Sequence, residues 1–208
     1  MNIKVKICGI CDLQIAENSI KMGADFLGFN FVEKSKRYIR PEIALAILKV
    51  INRGGVKIVG VFQEAKPETI KIISKYLNLD YVQIHGNDSF EGLNGLPRKI
   101  IKVFNIGADF DEKELMQKMN KIGAEYFLID RQIQGEGKTV DLEKAEYLAS
   151  KFPIFLAGGL DPENVRDAVL KIKPFAVDVA SGIETNGKKD LGKIEKFIKM
   201  AKGIWYEN

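Results

Sequence analysis

Short apolar runs alternate with longer amphipathic stretches from one end of this chain to the other, and that alternation is its strongest constraint. Runs at 3–8, 25–31, 56–62, 80–85, 99–104, 125–130, 153–157 and 175–180 read as strands. Between them, segments 41–52, 67–77, 112–122, 142–151, 162–171 and 190–202 carry apolar residues at helical spacing, and 12–22 is similar. Segment 87–93 is short and poor in apolar residues, so a degenerate helix is expected there. Pro41, Pro67 and Pro162 stand where a first helical residue should be, since that position's N–H has no partner anyway. Asp161 is placed to cap the last of these, and Gly54-Gly55 to stop the helix before it.

Repeated βα units imply a parallel sheet with right-handed crossovers. Eight units in 208 residues favour a closed (β/α)8 barrel over an open doubly wound sheet. A glycine-rich dinucleotide turn would follow the first strand of an open sheet, whereas Lys6-Ile7-Cys8-Gly9-Ile10 stands there. A single α/β domain over 1–208 is the expectation, and a hydrophobic content of 46% is enough for its core.

The net charge is +4, from 32 basic and 28 acidic residues that are interleaved, with no basic or acidic block to suit a nucleic acid or a membrane surface. The N-terminal segment reads as a strand rather than a leader, and no apolar run approaches the roughly 20 residues of a membrane span. The only two cysteines, Cys8 and Cys11, lie too close in sequence for a disulfide framework. A cytoplasmic, monomeric or homodimeric protein is expected.

A barrel enzyme builds its site at the C-terminal ends of its strands. There the chain places Cys8, the loop Lys34-Ser35-Lys36-Arg37, His85, Asp130, Gly158-Gly159 and Ser181-Gly182. The glycines after strands 7 and 8 bring bare backbone to the mouth, as a phosphate site requires, although glycine also serves simple tight turns. Cys8 and Asp130 could form an acid–base pair, provided the thiol pKa is lowered and the carboxyl pKa raised. Their positions also suit a packed free cysteine and a turn aspartate. Arg37 offers a fork for a carboxylate or simply belongs to a solvated basic loop. His85, the only histidine, is as compatible with a structural role as with a site. Cys8-Gly9-Ile10-Cys11 matches a redox spacing, but a thioredoxin-like fold is smaller, and a zinc site would need two more ligands. No redox or metal role is expected of this pair.

Strand parity adds a geometric expectation. Ile3, Val5 and Ile7 should face the helices, and Lys4, Lys6 and Cys8 the barrel axis. On strand 8, Val177 and Val179 go outward, and Ala176, Asp178 and Ala180 inward. Strand 8 closes on strand 1, so Lys6 should pair with Asp178 beneath the site rather than snorkel to water.

Taken together, these motifs resemble the phosphoribosylanthranilate isomerase family over nearly the whole chain. Val5-Lys6-Ile7-Cys8-Gly9-Ile10 resembles its first strand and catalytic cysteine, and Phe127-Leu128-Ile129-Asp130 the strand bearing its catalytic aspartate. Gly28-Phe29-Asn30-Phe31 with Lys34-Ser35-Lys36-Arg37-Tyr38-Ile39 resembles the carboxylate-binding loop. Val59-Gly60-Val61-Phe62 and Val82-Gln83-Ile84-His85-Gly86 are similar to strands 3 and 4, and Gly137-Lys138-Thr139-Val140-Asp141 to the glycine loop after strand 6. The stretches from Leu156 to Val165 and from Val177 to Glu184 resemble the two phosphate loops. Lys36, Arg131, Leu142 and Ala180 depart from the family pattern without removing a catalytic group.

The resemblance implies an Amadori rearrangement in tryptophan biosynthesis, free of cofactor and metal. Asp130 would be the acid, Cys8 the base and Arg37 the carboxylate clamp. Gly158, Gly159, Ser181 and Gly182 would hold phosphate, with His85 and Asp178 lining the site. The rival readings are a histidine-pathway sugar isomerase, which would show an aspartate at the end of strand 1, a metal-dependent epimerase, which would need several histidines, and a non-catalytic barrel acting as a binding module.

Overall fold

Residues 3–86, 99–106, 110–131 and 142–203 are described by the structure, a computed structural model, apart from the side chains of Arg131 and Leu142. Eight parallel strands close into one barrel in sequence order. They are β1 (Lys4–Cys8), β2 (Phe26–Asn30), β3 (Lys57–Gln63), β4 (Tyr81–His85), β5 (Lys99–Ile106), β6 (Tyr126–Arg131), β7 (Ile154–Ala157) and β8 (Ala176–Val179). The helices are α1 (Leu13–Lys21), α2 (Pro41–Val50), α3 (Pro67–Tyr76), α4 (Glu112–Lys121), α5 (Leu142–Lys151), α6 (Val165–Ile172) and α7 (Leu191–Lys202). All eight expected strands are present. The degenerate helix expected at 87–93 and the glycine loop at 137–141 lie outside the described residues.

Period-2 patterning separates two cores. Val5, Ile7, Leu27, Val82, Ile84, Ile129, Leu156, Val177 and Val179 belong to the layer between sheet and helices. Phe26, Val59, Tyr81, Ile101, Leu128, Phe155 and Ala176 fill the barrel. Aromatic rings form its floor: Phe26 meets Phe155 at 5.1 Å and Tyr81 at 5.7 Å between centroids, and Tyr126 stacks on Phe175 at 4.6 Å. With the lower barrel plugged, polar side chains above it are confined to the C-terminal rim.

Helix α7 shows how a local pattern becomes packing. The Asp190 side chain accepts from the Lys193 N–H, and Gly203 ends the helix with φ 72°. Ile194, Phe197, Ile198 and Ala201, at helical spacing, are buried on its inner face. Burying a ring the size of Phe197 contributes about 1.5–3 kcal/mol.

Pro41 and Pro67 open their helices as expected. Two boundaries differ. Pro162 is not the first residue of α6, which begins at Val165. The Asp161 carboxylate instead accepts from the Glu163 and Asn164 N–H groups and caps a turn that precedes the helix. Helix α2 also ends at Val50, ahead of Gly54-Gly55, because Ile51 is already extended with ψ 136°. The glycine pair, at φ 53° and 97°, makes the turn into β3 instead.

A small hairpin was not anticipated. Strands β9 (Glu184–Thr185) and β10 (Lys188–Lys189) pair antiparallel after β8. Asn186 and Gly187 turn the chain with φ 52° and 76°. Asn-Gly is the usual signal for such a two-residue turn, but the strands beside it are too short to show alternation.

Candidate active site

Lys6, Cys8, Gly28, His85, Asp130, Ala157 and Asp178 all share the parity of the barrel-filling residues on their strands. Cys8 ends β1 and is 8% exposed. Lys6 is fully buried, and its Nζ lies 2.9 Å from Asp178 Oδ1, as strand parity predicts. The two are register partners where β1 meets β8. Gly28 stands opposite Cys8 on β2. A Cβ there would lie 2.9 Å from Cys8 Sγ and 3.1 Å from Lys6 Nζ, so glycine makes the room they share.

The electrostatics differ from expectation in one respect. Burial pushes the Cys8 thiol above its ordinary pKa; Lys6 and Lys189 oppose this and Asp178 adds to it. The lowered pKa that a resting thiolate needs is therefore not what its surroundings produce. Burial also pulls Lys6 down, but Asp178 and the neighbouring thiol outweigh it and hold the ammonium charged.

Asp130 lies one residue before the end of β6, not at its end, in register with Asn105 and Ala157. His85 ends β4, with Nε2 2.9 Å from Gln83 Nε2. Burial, reinforced by Lys6, lowers its pKa to about 4, so the imidazole is neutral near pH 7.

The basic loop folds back over the mouth. Ser35 Oγ accepts from the Arg37 N–H and from Asn30 Nδ2 at the end of β2. The Arg37 stem crosses Gly9, whose φ is +80°; a Cβ at Gly9 would approach Arg37 Cδ to 2.6 Å. Arg37 is not simply solvated. Its Nε and Nη2 donate to the two Glu184 carboxylate oxygens at 2.6 and 2.8 Å. Lys189 Nζ donates to Glu184 Oε1 at 3.0 Å and to the Ala180 carbonyl at 2.8 Å. Reasoning from sequence missed both Glu184 and Lys189. The Asn-Gly turn between them was the available signal.

Gly158 and Gly159 follow β7 with φ 84° and 64°. Gly182 sits in the 3₁₀ turn Ser181–Ile183 after β8, where a Cβ would overlap the Leu160 carbonyl. The two loops thus meet backbone to backbone, beside a hollow of about 450 Å3 lined by Ser181, Gly182, Glu184 and Lys193. A larger cleft of about 570 Å3, lined by Lys102, Phe104 and Leu115, lies between β5 and α4. Cys8 and Cys11 are both free thiols, and Cys11 is exposed. Among the described residues no three His, Cys, Asp or Glu side chains converge as metal ligands would. Nor is any described helix long and apolar enough to cross a membrane.

Residues 5–200 match the family model for N-(5'-phosphoribosyl)anthranilate (PRA) isomerase. The chain belongs to this family. It is thus an isomerase of tryptophan biosynthesis, with a family model and curated relatives agreeing over almost all its length. The N-(5'-phosphoribosyl)anthranilate isomerase of Thermotoga maritima is 40% identical over 206 residues, spanning 97% of this chain and 100% of that one. The same-named protein of Desulforudis audaxviator is 39% identical over 202 residues, 95% of this chain and 97% of its own. The crystal structure of the Thermotoga maritima isomerase superposes with a TM-score of 0.86 at 39% identity, covering 97% and 99% of the two chains. Another solved isomerase, at TM-score 0.84, 38% identity and the same coverage, holds reduced 1-(o-carboxyphenylamino)-1-deoxyribulose 5-phosphate. The rival readings from other phosphosugar barrels and from a binding module fall away.

Proposed function

We propose that this chain converts N-(5'-phosphoribosyl)anthranilate into 1-(2-carboxyphenylamino)-1-deoxyribulose 5-phosphate with Asp130 as acid and Cys8 as base. One observation carries the assignment: both groups lie on the barrel-filling parity at the C-terminal rim, on β1 and β6, in a member of this isomerase family. Asp130 gives its proton to the furanose ring oxygen. The C1'–O bond breaks, and the anilino nitrogen lone pair forms the C1'=N iminium. The Cys8 thiolate removes the C2' proton, the C–H electron pair forms the C1'=C2' bond of an enolamine, and tautomerisation yields the ketone. The iminium is the electron sink, so the reading calls for no metal or cofactor.

Burial pushes the Cys8 thiol pKa up, so its thiolate depends on the cations around it. Lys6, Lys189 and the iminium cation beside it favour the thiolate. Arg37 holds the anthranilate carboxylate. Gly158, Gly159, Ser181 and Gly182 hold the phosphate with backbone N–H groups, and His85 and Asp178 line the wall. Such a small phosphorylated substrate suits a cytoplasmic enzyme.

Turnover of the anthranilate substrate by the purified chain, with deuterium at C2', tests the sequence of steps. A primary isotope effect on single-turnover conversion is expected. Single-turnover conversion as fast as that of the undeuterated substrate would overturn it.

A further inference from the structure

Glu184 takes one edge of Arg37, the Nε–Nη2 fork, while Lys189 donates to the same carboxylate at Oε1, the oxygen that Arg37 Nε also uses. Among the described residues the Nη1 edge of Arg37 carries no hydrogen bond. Lys189 in turn bonds the Ala180 carbonyl, immediately before Ser181. A continuous polar strut therefore runs from the loop after β8, through Lys189 and Glu184, to the guanidinium. Only 7% of the Lys189 side chain and 12% of the Glu184 side chain are exposed, whereas Arg37 keeps 30%. The inner members are fixed and the outer member faces the mouth.

We infer that Glu184 is a positioning residue that sets specificity for a carboxylated aromatic half of the substrate. It locks the Nε–Nη2 edge of Arg37 so that the Nη1–Nη2 edge is presented to the incoming carboxylate, and Lys189 keeps Glu184 in that pose. The inference rests on the reading of Arg37 as the carboxylate clamp. A guanidinium has two forks, and fixing one orients the other without loss of conformational entropy at binding. The three groups together carry one net positive charge, enough to attract a carboxylate. In the rival arrangement Glu184 is a stand-in that the substrate carboxylate evicts. The two make opposite predictions, because removing a stand-in strengthens binding and removing a strut weakens it.

Reduced 1-(o-carboxyphenylamino)-1-deoxyribulose 5-phosphate and its counterpart lacking the carboxylate are the probes, with dissociation constants read by calorimetry on the whole chain. Glu184→Gln should weaken the carboxylated probe by about tenfold, the scale of a charged hydrogen bond, and leave the other within about twofold. In an Arg37→Ala background the same substitution should have no further effect on either probe, since Glu184 acts through Arg37. Tighter binding of the carboxylated probe by Glu184→Gln, or an equal loss for both probes, overturns the inference. If Arg37→Ala alone fails to discriminate the two probes, the clamp reading falls, and the inference with it. If Arg37→Ala discriminates but Glu184→Gln does not, only the inference falls. Should Glu184→Gln not fold, Glu184→Asp keeps the charge, shortens the reach and carries the same two outcomes.

Discussion

Lys6 Nζ and Asp178 Oδ1 lie 2.9 Å apart across the seam where β1 and β8 close the barrel, although 172 residues separate them in sequence. Both are buried, and both stand directly below the Cys8 level of the mouth. An ion pair in this position costs desolvation on both sides, and its attraction roughly offsets that cost. Its importance lies in what happens when half of it is removed.

Lys6→Met leaves the Asp178 carboxylate buried without its cation and should destabilise the fold by about 3–5 kcal/mol in urea unfolding. Lys6→Met with Asp178→Asn should recover much of that loss. Because the folded Lys6 pKa is raised, its stabilising share is complete below the unfolded value of 10.5 and fades as pH rises through the folded value. Lys6 also lowers the Cys8 pKa, so its removal should push that thiol higher still, as read by alkylation rate against pH. An unchanged thiol profile would contradict the coupling.

Cys8→Ala should abolish turnover while the reduced product analogue still binds. Cys11, exposed and donating weakly to the Gly9 and Arg37 carbonyls at 3.6 Å, should tolerate alanine with near-normal activity. Equal loss at both cysteines would point back to a paired role. In the free wild-type enzyme, Cys8 alkylation should be slow at neutral pH and accelerate above the ordinary thiol range.

Asp130→Asn is nearly isosteric but cannot supply the ring-oxygen proton. A loss of about 10²–10⁴-fold in kcat is expected, with unfolding midpoints little changed. Less than about tenfold would remove Asp130 from the acid role.

His85 connects the site to acid stability. Its folded pKa of about 4 lies below the ordinary 6.5. Above pH 6.5 neither state binds the proton. Between 6.5 and about 4 the unfolded chain binds it and the folded chain does not, so the native state loses up to about 1.4 kcal/mol per pH unit. Below about 4 both bind it and the loss stops. Unfolding free energies at pH 7 and pH 5 should therefore differ less in His85→Gln than in the wild type. Identical differences would show that His85 is not held neutral by its burial.

The strand count, barrel closure, inward face of Cys8 and Lys6–Asp178 pair are legible in the amino-acid sequence alone. Apolar periods of two and 3.6 residues are properties of neighbouring residues, and parity propagates along a strand without further information. Once eight parallel strands close, β8 must lie beside β1, and pairing lets two inward-facing opposite charges at the same height avoid an unpaired burial. Helix ends are less legible. Proline and glycine mark where a helix is permitted to start or stop, but α6 begins at Val165 and α2 ends at Val50 instead.

What only the tertiary structure decided is the surroundings of Arg37 and Cys8. Arg37 and Glu184 are 147 residues apart, on the loop after β2 and on a hairpin after β8, and no period links them. Their meeting depends on the stem of Arg37 crossing Gly9 and on Lys189 holding Glu184 at the rim. The direction of the Cys8 shift depends on a balance of burial against Lys6, Lys189 and Asp178 that follows from three-dimensional distances. Local pattern determines which face a side chain takes, because that is set by the backbone repeat. Its partners and its pKa are set by through-space charge and solvent exclusion, which exist only after distant loops have met.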